Sequence, residues 1–276
     1  MRCHFNFDAV KKLIDWKHND FDILYSHLPE HTSQLMNLFY NATNIQPKCI
    51  GYCHWYELPE NTEYAKNVLM HNIAGTLEME ECGVNSNWLK NFILSHSADI
   101  YSPEILEKLQ QVIQPHLLGV DNVFKSYRIF EPKSILFNHR PNNYTGFSWF
   151  VKSMNELWKK RQDFKVYTTL TDIDEPWAER LKISSRSEYL ETIRKMYFGV
   201  GCFEKYSAWS ISTTDGLSNG VPYLLPNKLC YPEMIGPDYP LLYNGRAEFI
   251  VSKSFSIYSI NSVSYTHLTL PTSFLV

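Results

Sequence analysis

The sequence predicts an α/β protein with parallel sheets, built as two Rossmann-like β/α/β domains in series. Three observations predict this. Short apolar runs of β type alternate with amphipathic helical stretches through most of the chain. A stretch without periodicity, Lys125 to Lys133, separates two halves of similar build. The 276 residues are enough for two modest domains. The expected division is 1–125 for an N-terminal domain and 126–262 for a C-terminal one, with both ends of the chain incomplete.

The elements follow in order. Phe21–Tyr25 and Cys49–Cys53 are β-type runs ending in polar residues. Ser86 precedes Trp88, Phe92 and Ile93, which predicts an N-cap with an apolar helix face behind it. Ser102-Pro103-Glu104 supplies a cap, a first-turn proline and an acid that favours the helix dipole. Ile105, Leu106, Leu109, Val112 and Ile113 then recur at helical spacing. In the second half, Ser134–Asn138 and Phe164–Leu170 read as strands. Phe147, Phe150, Val151, Met154, Leu157 and Trp158 form a helix stripe between them, with Lys152, Glu156, Lys159 and Lys160 opposite. Ser187–Tyr197 reads as a helix and Val221–Leu225 as a strand. Trp88, Trp149 and Trp158 are expected to be core aromatics.

Composition narrows the function classes. With 44% hydrophobic and 20% charged residues the chain is of ordinary globular type. A formal charge of -3 gives no net field to hold a polyanion, so nucleic acid is not expected as the main partner. No apolar run approaches the ~20 residues of a membrane span, and the N-terminus lacks a signal-peptide pattern. Membrane contact, where there is any, would be peripheral. The six cysteines form no CxxC pair and no dense framework, which fits reduced thiols and a cytoplasmic setting. The oligomeric state has no signature in the sequence.

The segment TTDGLSNGVPYLLPNKLCYPEM, Thr213 to Met234, carries the chemistry. A carboxylate can accept hydrogen bonds from a ribose diol, and helix N-termini hold phosphate. Asp215-Gly216 followed by Gly220-Val-Pro222 would place an acid and uncovered backbone at a strand's carboxyl edge, with Glu233 one turn further on. This segment resembles the C-terminal half of GT-B glycosyltransferases of the family 4-like, group 1 type. There, an acid-small-x-x-x-Gly-x-Pro stretch precedes a strand and then a Glu-bearing helix. Other landmarks occur in the same order: Cys53-His54-Trp55 at a strand end, Asn85-Ser86, Gly119-Val-Asp121, and Ile135 to Arg140 followed by Tyr144-Thr-Gly146. Together they cover roughly residues 20 to 250.

The resemblance implies two domains facing each other across a cleft. The later domain would bind a nucleoside-diphosphate sugar and the earlier one an acceptor whose identity the sequence does not give. It implies glycosyl transfer with no cofactor and no metal, the nucleotide sugar being a substrate. Arg140 would clamp the diphosphate, and Asp215 would hold the ribose. Glu233, with Gly216, Gly220 and Ser86, would complete the binding residues. His54 would orient the sugar or its acceptor as the catalytic group.

Two departures keep alternatives open. Thr145 stands where the family has a lysine, and Ser207 where it often has a glutamate. A non-catalytic nucleotide-sugar-binding subunit is therefore a second reading, and a sugar-nucleotide epimerase on the same twin-domain plan a third. Asp172-Ile-Asp174 matches the D-x-D of the other large glycosyltransferase fold, but its surroundings favour a solvated loop. His27 and His31 have a metal-pair spacing, but Pro29 between them is expected to break the helix and leave a loop. Finally, VSYTHLTLPT at Val263–Thr272 resembles a translated sequencing-library adapter, so residues 263–276 are expected to be a non-native tail.

Overall fold

A computed structural model describes residues 6–13, 21–58, 65–118 and 129–245. The chain divides into two units, Met1–Leu117 and Leu118–Val276. The expected break at 125/126, the Gly119-Val-Asp121 landmark and the expected tail all lie outside the described residues.

Unit 1 contains α1 (Phe7–Leu13), β1 (Ile23–Ser26), α2 (Pro29–Thr43), β2 (Lys48–Cys53), α3 (Ala65–Leu77), β3 (Glu81–Val84), α4 (Asn87–Ala98), α5 (Pro103–Val112) and β4 (Ile113–Pro115). Its strands pair in parallel in the order β1-β2-β3-β4. Parallel neighbours require crossovers, and the helices supply them. β2 and β3 are buried where they bear Cys49, Cys53, Cys82 and Val84, and Leu89 and Ile93 of α4, which packs against β3, are buried too. Ser86 caps α4, its Oγ accepting the Leu89 N–H at 3.0 Å.

One sequence expectation is corrected here. Pro29 does not break a helix; it opens α2 at the first helical position, where its missing N–H costs nothing. His31 therefore sits in the first turn of α2 and His27 lies before it, so the two are not stacked on one helical face.

Unit 2 contains β5 (Ser134–Phe137), α6 (Phe147–Trp158), β6 (Lys165–Thr168), β7 (Ala178–Arg180), α7 (Arg186–Ile193), β8 (Phe198–Val200), α8 (Ile211–Ser218), β9 (Tyr223–Pro226), α9 (Tyr231–Ile235) and β10 (Leu242–Tyr243). The six strands are all parallel, in the order β10-β9-β8-β5-β6-β7. The chain runs outward from β5 through β6 to β7, then crosses back to lay β8 on the other side of β5. The strand order thus reverses between β5 and β8, the position at which open α/β sheets place their ligand crevice.

β5 and β9 are buried along their whole length, as central strands covered on both faces should be. Phe137 stacks on Phe150 of α6 at 4.3 Å, and Phe150 meets Trp177 edge-on at 6.4 Å. Trp177 is fully buried, and its indole N–H donates to Asn155 Oδ1 at 2.7 Å. The expectation that Trp88, Trp149 and Trp158 form the core is corrected: all three are half-buried at the margins of their helices. Among the described tryptophans the fully buried one is Trp177, which lies outside any periodic stripe.

Among the described residues no helix is long and apolar enough to cross a membrane. The five described cysteines, Cys49, Cys53, Cys82, Cys202 and Cys230, are buried and form no disulfide among the described residues.

Candidate functional site

The site in unit 2 grows from the carboxyl end of β5. Asn138, the first residue beyond the strand, is 1% exposed. Its amide donates to Tyr189 Oη on α7 at 2.8 Å and to the Ser212 carbonyl on α8 at 2.9 Å. Its Oδ1 accepts from Tyr223 Oη on β9 at 3.1 Å. One side chain therefore ties β5, α7, α8 and β9 together at the switch point. Burial pushes the Tyr189 hydroxyl up to about 12, so it stays protonated, and it also interacts with the Asp215 carboxylate.

Asp215 lies within α8, the helix between β8 and β9. The helix was hidden because ISTTDGLS shows no apolar stripe. Thr213 through Ser218 are all buried, their hydroxyls satisfied locally: Thr213 Oγ1 shares a hydrogen bond with Ser210 Oγ at 2.8 Å, Thr214 Oγ1 donates to the Ser210 carbonyl at 2.9 Å and Ser218 Oγ to the Asp215 carbonyl at 3.0 Å. Both Asp215 oxygens are taken by Arg186 of α7, whose Nη1 donates to Oδ2 at 2.7 Å and Nη2 to Oδ1 at 2.5 Å. The guanidinium also sits 5.3 Å from the centre of the Tyr189 ring.

Arg140 follows Asn138 by two residues and is exposed. Among the described residues no carboxylate pairs with its guanidinium. Its loop closes on Thr145, which is 1% exposed. Gly146 ends the loop in the left-handed region at φ 71, and a Cβ there would run into the Cys202 carbonyl, so only glycine fits. The 12-residue helix α6 starts immediately afterwards.

The remaining predicted residues fall in different places. Gly216 packs against the ring of Tyr223, which a Cβ would strike. Gly220, at φ 77, ends α8 at the opposite edge of the sheet from Arg140. These two glycines are explained by packing and by the turn. Glu233 is half-buried in the first turn of the five-residue α9, which follows β9. Ser207, at the family's glutamate position, is buried and accepts a weak hydrogen bond from Cys230 Sγ at 3.5 Å.

A cavity of about 610 Å³ between the ends of β6 and β7 and the start of α7 has a lining that includes Thr169, Asp172, Arg180, Lys182, Ser184 and Glu188. Asp172 lies in the loop after β6 and pairs with Arg180 at 2.7 Å. His139, next to Arg140, is 3% exposed. Phe137 and Phe203 meet its ring edge-on at 5.4 and 5.0 Å. Burial lowers its pKa to about 4, against a compensating bond to the Val200 backbone.

In unit 1 the carboxyl ends of β1, β2 and β3 carry His27, His54 and Asn85-Ser86. His54 is exposed, directly beyond β2. Its ring stacks on that of His27 at 6.1 Å and lies 4.6 Å from Tyr52. The Asn85 amide donates to the His54 carbonyl at 3.3 Å and fixes the strand end. Desolvation lowers the His54 pKa, partly offset by Asn85, so the imidazole is neutral near pH 7. Ser86 is fully buried and engaged as the α4 cap.

Sequence reasoning missed Arg186, Tyr189 and Asn138. Arg186 and Asp215 are 29 positions apart, and no spacing rule joins a helix start to a polar helix that far downstream.

No protein-family model matches the chain, and no curated protein matches it by sequence. Solved structures do match. A point mutant of TarM from S. aureus, in a complex with fondaparinux, alpha-GlcNAc-glycerol and UDP, is 12% identical with a TM-score of 0.67, over 88% of this chain and 49% of that one. The pneumococcal O-GlcNAc transferase GtfA, in complex with UDP and GlcNAc, is 12% identical with a TM-score of 0.65, over 93% of this chain and 53% of its own. A UDP-forming alpha,alpha-trehalose-phosphate synthase from Burkholderia xenovorans is 10% identical with a TM-score of 0.60, over 86% and 65%. The chain thus spans about half the length of the first two. At these identities the likeness establishes the fold, which is that of GT-B glycosyltransferases with two Rossmann-like units.

Proposed function

We propose that this chain is part of a glycosyltransferase that takes a sugar from a nucleoside-diphosphate sugar bound in unit 2. One observation carries the reading. At the switch point between β5 and β8, an exposed arginine with no carboxylate partner among the described residues stands next to a hydrogen-bonded cluster that contains Asp215. The fold supports it, since UDP is named in the complexes of TarM and GtfA.

As the glycosidic bond breaks, negative charge grows on the departing diphosphate while the sugar becomes oxocarbenium-like. Arg140 would meet that charge with paired N–H donors, aided by main-chain N–H groups at the start of α6. This arrangement supplies the positive charge from the protein, so the proposal includes no metal. Glu233 would assist in donor binding from the loop side of β9. His54, neutral and exposed at the end of β2, would orient the sugar or accept a proton from the acceptor.

A non-catalytic nucleotide-sugar-binding subunit is the second reading. It is favoured by the commitment of Thr145 and Ser207 to internal contacts where the resemblance expects a lysine and a glutamate. Incubation of the full chain with UDP-glucose, UDP-N-acetylglucosamine and GDP-mannose separates the two. Release of nucleoside diphosphate from one donor is the expected result. Binding without release from any donor favours the second reading, and absence of both binding and release overturns the donor site.

A further inference from the structure

The acid that the resemblance assigns to the ribose is not the outermost group at its own position. In the Arg186–Asp215 pair, the carboxylate side chain is 12% exposed and the guanidinium side chain 61% exposed. Two parallel N–H···O bonds fix the pair, and Tyr189, itself held by Asn138, backs it from within. A ligand approaching along the carboxyl edge therefore meets hydrogen-bond donors rather than acceptors.

Building on the donor-site reading above, we propose that Arg186 is a specificity-determining residue of the nucleotide site. Its guanidinium faces the ligand and takes phosphoryl oxygens, while Asp215 is a positioning residue that acts through it. The chemistry fits in two ways. A ribose diol offers donors to a carboxylate, and both oxygens of this carboxylate are already engaged. A phosphoryl group offers only acceptors, which match the N–H groups that a planar guanidinium carries beyond the two bonded to Asp215.

The fork is also prepared in advance. Stacking against Tyr189 and the bidentate grip of Asp215 remove most of the rotamer freedom that an exposed arginine would lose on binding. Asp215 thus contributes by holding geometry, without touching the ligand.

The test is calorimetric titration of the full chain with UDP, GDP, their 3′-deoxy analogues and the parent nucleosides. For the better diphosphate, Arg186→Ala should raise Kd by about tenfold or more and leave nucleoside binding unchanged. Arg186→Lys, which keeps the charge without the fork, should fall between and guards against a variant that does not fold. Wild-type protein should bind each diphosphate and its 3′-deoxy analogue within about twofold, because no carboxylate is reading the diol. Unchanged diphosphate affinity in Arg186→Ala, or strong discrimination against the 3′-deoxy analogue that disappears in Asp215→Asn, would overturn the assignment while leaving the donor site in place. If neither diphosphate binds wild-type protein, the donor-site reading falls and this assignment with it.

Discussion

The Thr145 hydroxyl lies 2.7 Å from the carbonyl of Arg140 and 2.7 Å from that of Asn142. A hydroxyl has one proton, so it donates to one carbonyl at a time, and its oxygen also accepts the Asn142 N–H at 3.3 Å. A single buried side chain therefore closes the loop that carries the arginine. Where the resemblance expects a lysine to add charge, this chain has a fastener that fixes the direction of the charge it already has.

Thr145→Val removes those bonds at nearly constant volume and should cost about 1 kcal/mol, because part-buried carbonyls that keep a backbone donor lose a second one. Thr145→Ser, which keeps the hydroxyl, should cost less. Urea unfolding of the three proteins checks the order. UDP or GDP affinity should fall with stability in the valine variant, since Arg140 loses its fixed approach. A valine variant that binds and unfolds like wild type would remove Thr145 from this role.

Arg140→Ala should weaken nucleoside diphosphate by about ten- to a hundredfold, the equivalent of roughly 1.5–3 kcal/mol for a charge-assisted contact. The parent nucleoside should bind as before. Equal losses for both would mean that the side chain supports the fold of the loop rather than the phosphate.

His54→Ala should lower donor turnover while leaving diphosphate affinity within about twofold. The rate of wild-type protein should fall as pH drops below the His54 pKa, which desolvation places under its ordinary value of 6.5. Turnover of His54→Ala equal to wild type across pH would place His54 outside the chemistry.

His139 gives the fold its own acid sensitivity. Its folded pKa is about 4 against 6.5 for the free side chain. Between those values the unfolded chain binds the proton and the folded one does not. Stability is therefore full above pH 6.5 and declines as pH falls toward 4, by about 3 kcal/mol at most from this residue. Urea midpoints at pH 7.5 and 5 should differ more for wild type than for His139→Gln. Parallel losses in the two proteins would assign the acid sensitivity elsewhere.

Much of the fold was legible because the physics behind it is local. β5 reads as a strand since SILF is covered on both faces, and α6 reads as a helix since its buried residues recur on one stripe. Ser86 was visible as a cap for the same reason. β7 was missed: Ala178–Arg180 is a mostly exposed edge strand with no apolar signal. α8 was missed because its buried run, Thr213–Ser218, is mostly polar, with hydroxyls satisfied within the helix and Asp215 by Arg186, and shows no amphipathic pattern. The site follows the same division. Arg140 stood out by its place after a buried strand, whereas Arg186 became visible only when the crossover from β7 to β8 brought α7 against α8.

Hydrogen–deuterium exchange of the full chain with and without saturating UDP or GDP tests the central claim most directly. The account predicts slowed exchange in peptides spanning 138–148 and in those spanning 184–190 and 210–216, the three segments joined through Asn138. Protection confined to other segments, or none in the presence of either nucleotide, would contradict a nucleoside-diphosphate site at the β5/β8 switch point.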